Sequence, residues 1–210
     1  SFEYAAPKKL KEAIELLSRQ WGETEIMAGG TDLVTSLKQG LTKPKRVVSL
    51  RNVPNLGKIS SNRKGITIGA MKSLQSLLDH AGMNEHFPAV ITAVKNISSP
   101  QMLAMGTLGG ELCQRPRCWY FRNGYGLLAE QNGESLVVKR DNRYHAIFGN
   151  EGKAKYVHPS SLAPALIALG ASVMVAGPQG KEREIPLADF FRTPAEDSQR
   201  ETALMPNEIL

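Results

Sequence analysis

The sequence predicts an α+β fold in two parts: a small α/β unit over residues 1–55 and a larger α+β unit over residues 56–210. The larger unit carries an insertion around 115–157. Three observations predict this. Helix-like and strand-like patterns alternate along the first 55 residues, which in so short a span implies parallel pairing. Further on, apolar runs come in pairs joined by turn residues, the pattern of antiparallel hairpins. Two glycine-rich turns, at 28–32 and 105–110, each stand beside an apolar helical stretch.

The first element is a helix, because Leu10, Ala13, Ile14, Leu17 and Trp21 recur at helical spacing with charged residues on the other faces. Pro7 suits its opening turn. Glu25 to Ala28 reads as a short buried strand, and Leu33, Val34 and Leu37 as a helix stopping at Gly40. Arg46 to Leu50 gives the next strand. Lys58 to Ser61, the turn Asn62-Arg63-Lys64-Gly65 and Ile66 to Ala70 form a hairpin. Leu74, Leu77 and Leu78 make a helical seam, and a further helix carries Phe87, Val90, Ile91 and Val94. Leu162, Ala165, Leu166 and Leu169 form another. The strands Ala171 to Ala176 and Glu182 to Leu187 are joined by the turn Gly177-Pro178-Gln179-Gly180. Residues 115–157 lack periodicity and are rich in aromatic and charged side chains, as in a long loop.

Composition excludes several classes of function. An apolar share of 41% and a charged share of 22% are ordinary for a globular chain. No apolar run approaches the ~20 residues of a membrane span, and the first ten residues lack the apolar centre of a secretory signal. A cytoplasmic protein is expected. Cys113 and Cys118 are too few for a disulfide framework, or for a zinc site or iron–sulfur cluster built from cysteines of this chain alone. His80, His86, His145 and His158 are scattered and read as structural or surface residues. The formal charge of +6 comes from basic residues interleaved with acids, a solvated surface rather than a nucleic-acid footprint. Ser98-Ser99 and Ser160-Ser161 lack the G-x-S-x-G elbow, and no H-E-x-x-H occurs.

The glycine turns carry the chemistry. Ala28-Gly29-Gly30-Thr31-Asp32 lies between a strand and a helix, where adjacent glycines allow positive φ and let backbone N–H groups approach a ligand. Thr31 or Asp32 is placed to cap the helix, whose start favours an anion. Met105-Gly106-Thr107-Leu108-Gly109-Gly110 repeats the arrangement. Two such turns suggest that both sides of a diphosphate are held; the alternative is a pair of tight turns without a ligand. Neither turn matches the dinucleotide fingerprint or the P-loop.

At these residues the chain resembles the FAD-binding subunits of molybdenum hydroxylases, the group of xanthine dehydrogenase, carbon monoxide dehydrogenase and 4-hydroxybenzoyl-CoA reductase. Ala28-Gly29-Gly30-Thr31-Asp32-Leu33 and Gly106-Thr107-Leu108-Gly109-Gly110 look like the two flavin pyrophosphate loops. Supporting stretches are Ile66 to Ala70, His158 to Pro164 and Arg183 to Phe191, in the expected order over nearly the whole chain. The resemblance implies a two-subdomain FAD-binding fold of the vanillyl-alcohol-oxidase (PCMH) type, with FAD between the subdomains. It implies contacts from Ala28, Gly29, Gly30, Thr31, Asp32 and Leu33, from Gly106, Thr107, Gly109 and Gly110, from Ile68 and Ala70 near the flavin, and from Ser160 and Leu162. The implied partners are a molybdenum-cofactor subunit and a small subunit with two-iron iron–sulfur clusters, with NAD or another acceptor taking the electrons. A scaffold that keeps the fold without flavin is the alternative.

Two positions depart from the family pattern. Glu111 stands where many relatives carry Asn, and its carboxylate has to point away from a diphosphate or meet a cation. Ser160-Ser161 stands where many carry Ser-Asp. The stretch Gln114 to Arg122 resembles an insertion that holds a four-iron cluster in some relatives; with Cys118 alone inside it, no cluster is expected here. Its Trp119, Tyr120 and Phe121 make either a docking surface or a local aromatic cluster. Glu201 to Leu210 resembles the end of the FAD domain, where relatives continue into a C-terminal domain that is expected to be absent.

Overall fold

A computed structural model describes residues 1–63, 65–97 and 99–210; Lys64, in the expected hairpin turn, and Ser98 lie outside the described residues. The first unit contains strand β1 (Glu3–Ala5), helix α1 (Leu10–Glu15), strand β2 (Thr24–Met27), helix α2 (Leu33–Lys38) and strand β3 (Arg46–Ser49). Its sheet runs β1-β3-β2 with every pair parallel, as the helix–strand alternation predicts. Apolar Val47, Val48 and Leu50 of the central strand and the segment after it are buried, and Val48 and Leu50 pack on Ala13, Ile14 and Leu17. Helix α1 ends earlier than its apolar spacing predicts. Ser18 takes the chain out of helix, its N–H donating to Thr24 Oγ1 at 3.3 Å and its hydroxyl to Glu23 at 2.7 Å. Trp21, expected on the helix, stands instead in the turn that follows.

The hairpin β4 (Ile59–Asn62) and β5 (Gly65–Ile68) comes next, antiparallel with Ile59 opposite Ile68. A helical layer follows: α3 (Leu74–Leu78), α4 (Ala81–His86), α5 (Pro88–Lys95), α6 (Pro100–Met105) and α7 (Leu108–Leu112). Leu74, Leu77, Met83, Val90, Ile91 and Val94 meet in one core, closed by Leu162. Serine and threonine hydroxyls start several of these helices: Ser73 accepts the Ser76 N–H and Ser99 the Met102 N–H, both at 3.2 Å.

The 115–157 segment contains only short elements, α8 (Trp119–Arg122), β6 (Glu130–Gln131), β7 (Glu134–Ser135) and α9 (Leu136–Lys139). Helix α10 (Ala163–Ala168), the antiparallel strands β8 (Ser172–Ala176) and β9 (Glu182–Pro186), and α11 (Leu187–Phe190) complete the chain. Val173, Val175, Ile185, Leu187 and Phe190 form a third core. Ile209 then returns to the first unit: it exchanges two backbone hydrogen bonds with Ala176, at 2.8 and 2.9 Å, and packs into the core of Ala13 and Val48. The end of the chain thus joins the C-terminal hairpin to the parallel sheet. Among the described residues no helix is long and apolar enough to cross a membrane.

Candidate functional site

The two glycine turns meet. In the first, Gly30 has φ +80°, a conformation that a side chain resists. A Cβ on Gly29 would fall 1.8 Å from the Met105 carbonyl oxygen, so this turn lies directly on the chain entering the second. In the second, the Thr107 hydroxyl accepts the Gly110 N–H at 3.1 Å and starts α7. The Gly109 N–H donates to the Ala70 carbonyl at 2.8 Å, and a Cβ there would come within 2.8 Å of the Ala70 side chain. Between the turns opens a cleft of about 410 Å³.

Ten of the fourteen expected cofactor residues line this cleft: Ala28, Gly29, Gly30, Thr31, Asp32, Leu33, Ala70, Thr107, Gly109 and Gly110. The structure places the other four elsewhere. Ile68 and Leu162 pack into the helical core. Gly106 is pressed against the end of α6, where a Cβ would lie 2.6 Å from the Met102 carbonyl oxygen. Ser160 is buried and its hydroxyl accepts the Ala163 N–H at 3.1 Å, opening α10.

Asp32 does not cap α2 through its side chain, contrary to expectation, and no hydroxyl of Thr31 replaces it. The carboxylate reaches into the insertion instead. It accepts the Arg115 backbone N–H at 2.9 Å, Arg117 Nη1 at 3.0 Å and Arg122 Nη2 at 2.9 Å. Arg122 also donates to the carbonyls of Pro116 and Arg115 and to Ser36 Oγ on α2. Its planar fork therefore fixes the insertion's own turn and fastens that turn to the first glycine loop. Phe121 is buried between the Arg115 and Arg122 guanidiniums, 5.1 and 5.6 Å from its centroid. Trp119 packs edge-on against Tyr120, Tyr144 and His145, so these aromatics form a local cluster.

Several charges surround the cleft. Arg115 pairs with the buried Glu201, and Glu25 accepts the Thr42 hydroxyl at 3.1 Å. Arg200 lies 4.8 Å over the Trp21 ring. Burial, and then the Glu201 charge, push the Cys113 thiol up to about 12, which leaves it an inert wall residue at neutral pH. Glu111 turns away from the cleft: its carboxylate accepts the Ser161 N–H at 3.0 Å. The two departures from the family pattern thus bond to each other, and burial raises the Glu111 pKa against the opposing pull of that hydrogen bond.

Outside the cleft, Cys118 Sγ stands 3.1 Å from His145 Nε2 beside a hollow of about 250 Å³. Among the described residues no group of three or more His, Cys, Asp or Glu side chains is placed to hold a metal. A first loop that turns the N–H groups of Gly29, Gly30 and Thr31 to the cleft, a second kept narrow because a Cβ on Gly109 would fill it, and guanidiniums at the border suit the diphosphate of a dinucleotide. Sequence reasoning missed the arginines. Arg115, Arg122 and Arg200 carry no local motif, and their partners lie far away in the chain; the one signal was the density of arginine among aromatics at 115–122.

The family described as the FAD binding domain in molybdopterin dehydrogenase matches residues 1–210. The aldehyde oxidoreductase FAD-binding subunit PaoB of Escherichia coli (strain K12) is 30% identical over 189 residues, 89% of this chain and 59% of that protein. The carbon monoxide dehydrogenase medium chain of Hydrogenophaga pseudoflava is 31% identical over 111 residues, 53% of this chain and 39% of that one. A solved structure of carbon monoxide dehydrogenase from the same organism superposes with TM-score 0.69 at 24% identity, covering 100% of this chain and 56% of its own; it shows the shared fold. The chain spans less than two thirds of the length of these relatives. With all 210 residues matched, the chain belongs to the FAD-binding domain family of molybdopterin dehydrogenases.

Proposed function

We propose that this chain holds FAD as the electron-transfer subunit of a molybdenum-dependent hydroxylase or dehydrogenase of the xanthine dehydrogenase type. It works inside a larger complex with a molybdenum-cofactor subunit and a small two-iron iron–sulfur subunit. Electrons reach the flavin from those clusters and leave to NAD or another acceptor. The single observation that carries the reading is the meeting of two glycine turns across one cleft. Bound flavin supplies the redox chemistry, accepting electrons singly or in pairs. The chain positions it: Gly29, Gly30 and Thr31 offer backbone N–H groups and Thr31 and Thr107 hydroxyls to phosphate, Gly109 and Gly110 let the second turn come close without a Cβ, and Ala28, Leu33 and Ala70 shape the wall. Asp32 acts as the anchor of its loop.

The division at about residue 55, with FAD between the two parts, belongs to the same proposal, as does a cytoplasmic setting, which the two free cysteines suit. A scaffold that has lost flavin draws no support from Glu111, since its carboxylate faces Ser161. The test is to purify the chain, record its visible spectrum and titrate FAD against FMN. A flavin spectrum or saturable binding selective for FAD supports the proposal. Absence of flavin from the assembled complex overturns it in favour of the scaffold.

A further inference from the structure

We infer that Arg200 meets the diphosphate of the nucleotide held in the cleft, an inference that rests on the FAD reading. Arg200 lines the cleft with both glycine turns, although it lies some ninety residues beyond the second in sequence. Asp32 and Arg115 are paired elsewhere, and Glu25 keeps a charge that attracts Arg200 from beyond ion-pair distance. Asp32 is held by Arg117 and Arg122, Arg115 by Glu201, and Glu25 accepts from Thr42. Among the described residues Arg200 has no ion-pair or hydrogen-bond partner. Its guanidinium lies over the face of Trp21, 4.8 Å from the ring centroid, which leaves its N–H edges free.

The surroundings make this arrangement costly without an anion. Burial disfavours the charge on Arg200, and the neighbouring Arg115 opposes it further, with Glu201 and Glu25 offsetting only part. Arg115 already has Glu201 as its counter-ion, whereas Arg200 has no carboxylate within ion-pair distance, so an anion entering the cleft would offset the cost of holding its charge there. A planar fork with free N–H groups matches a pair of phosphate oxygens. Position points to the diphosphate. Arg115, the cation that Arg200 feels, donates its backbone N–H to Asp32 in the first glycine turn. Lys43 also lines the cleft, but its exposed ammonium remains in water and is a weaker anchor.

The test compares wild type, Arg200→Gln and Arg200→Lys in the full chain. FAD affinity is measured by flavin fluorescence across a range of salt, and ADP, which carries the diphosphate without the flavin ring, is measured by competition. Arg200→Gln is expected to weaken FAD and ADP by the same factor, about tenfold or more, and to flatten the salt dependence. Arg200→Lys keeps the charge and loses the fork, so it restores the salt slope with part of the affinity. Thermal melting checks that each variant folds; if Arg200→Gln does not, the lysine variant carries the test through a parallel loss of FAD and ADP at unchanged salt slope. A loss for FAD without a loss for ADP overturns the inference, as does a loss without change in salt slope in Arg200→Gln. Wild-type binding of FAD with equal binding by Arg200→Gln sinks the inference and leaves the FAD reading standing. Wild type that binds neither nucleotide, alone and in the assembled complex, sinks both.

Discussion

The glycine cleft and the 115–157 insertion sit side by side and are built in opposite ways. The cleft is made of backbone: its walls approach because Gly29 and Gly109 have no Cβ, Gly30 turns the first loop at positive φ, and Thr107 contributes one hydroxyl. The insertion has little regular backbone structure. It is held by side chains, with Arg122 making four hydrogen bonds to Pro116, Arg115, Asp32 and Ser36. The difference teaches where each region is brittle. Adding atoms should break the cleft, and removing atoms should break the insertion.

The largest effect is expected at Gly29. In Gly29→Ala a methyl would sit 1.8 Å from the Met105 carbonyl oxygen, a contact with backbone that no side-chain rotation relieves. The turn must move, at a cost of about 1–3 kcal/mol in a urea melt, and FAD affinity should fall by two orders of magnitude or more. Gly30→Ala should be milder, since the obstacle to φ +80° is local strain of about 1 kcal/mol. If Gly29→Ala binds FAD normally, the cleft is not built by backbone contact.

Removing atoms comes second. Asp32 and Arg122 are 17% and 14% exposed at their side chains, so truncating either leaves a partly desolvated charge. Asp32→Ala and Arg122→Ala should each cost about 2–3 kcal/mol. The double mutant should be less destabilised than the sum by about 1 kcal/mol or more, because the two losses share one interaction. FAD affinity should fall in both single variants, since Asp32 is part of the first glycine turn. Additive losses in the double-mutant cycle would mean that the insertion is not what fastens the loop.

The same contrast explains what the sequence discloses. The parallel unit, the hairpins and the helices at Leu74 and Phe87 are local patterns: apolar spacing, turn residues and caps lie within a few positions of one another. The glycine turns are legible for the same reason, since Ala28-Gly29-Gly30 and Gly106 to Gly110 announce their own backbone freedom. Even in the insertion the local signal was present at Asn132-Gly133, whose φ values of 54° and 79° turn β6 into β7. The rest depends on contacts over long separations. Asp32 meets Arg122 across 90 positions, and Ile209 enters a core begun at Ala13. Nothing in either neighbourhood encodes its distant partner. Trp21 shows the reverse failure: its helical spacing is intact, but Ser18 breaks the helix before reaching it.

A third effect separates the two regions by pH. His158, beside the insertion, is held down to about 4 by burial, against Phe191 with ring centroids 4.3 Å apart. In the unfolded chain it takes a proton near pH 6.5. The unfolded state therefore binds more protons between these values, so its contribution to stability is full above about pH 6.5 and is lost as pH falls toward 4. Allowing for the part of the ring in water, the loss should be about 1–2 kcal/mol. Urea melts from pH 7.5 to 4.5 on wild type and His158→Gln check this; identical pH profiles would remove His158 as the cause. The glycine turns contain no histidine; Glu111 beside the second is raised by burial and acts in the opposite sense, so the His158→Gln comparison isolates the histidine.

The smallest effect is expected at the insertion's tip. Phe148 is 90% exposed, so its ring is wet in the folded and unfolded chain alike and folding gains almost nothing from it. Phe148→Ser should leave the melting midpoint of the isolated chain within the equivalent of about 0.5 kcal/mol and FAD affinity unchanged. That near-null result is informative beside Arg122→Ala, because both substitutions remove a large side chain from one segment. If the two differ as expected, the insertion's hold on the cleft lies in its arginine-bonded base at 115–122. If Phe148→Ser were as damaging as Arg122→Ala, the segment would fold as a cooperative unit in which tip and base cannot be separated, and the line between a backbone-built cleft and a side-chain-built insertion would have to be drawn at the whole segment rather than at one guanidinium.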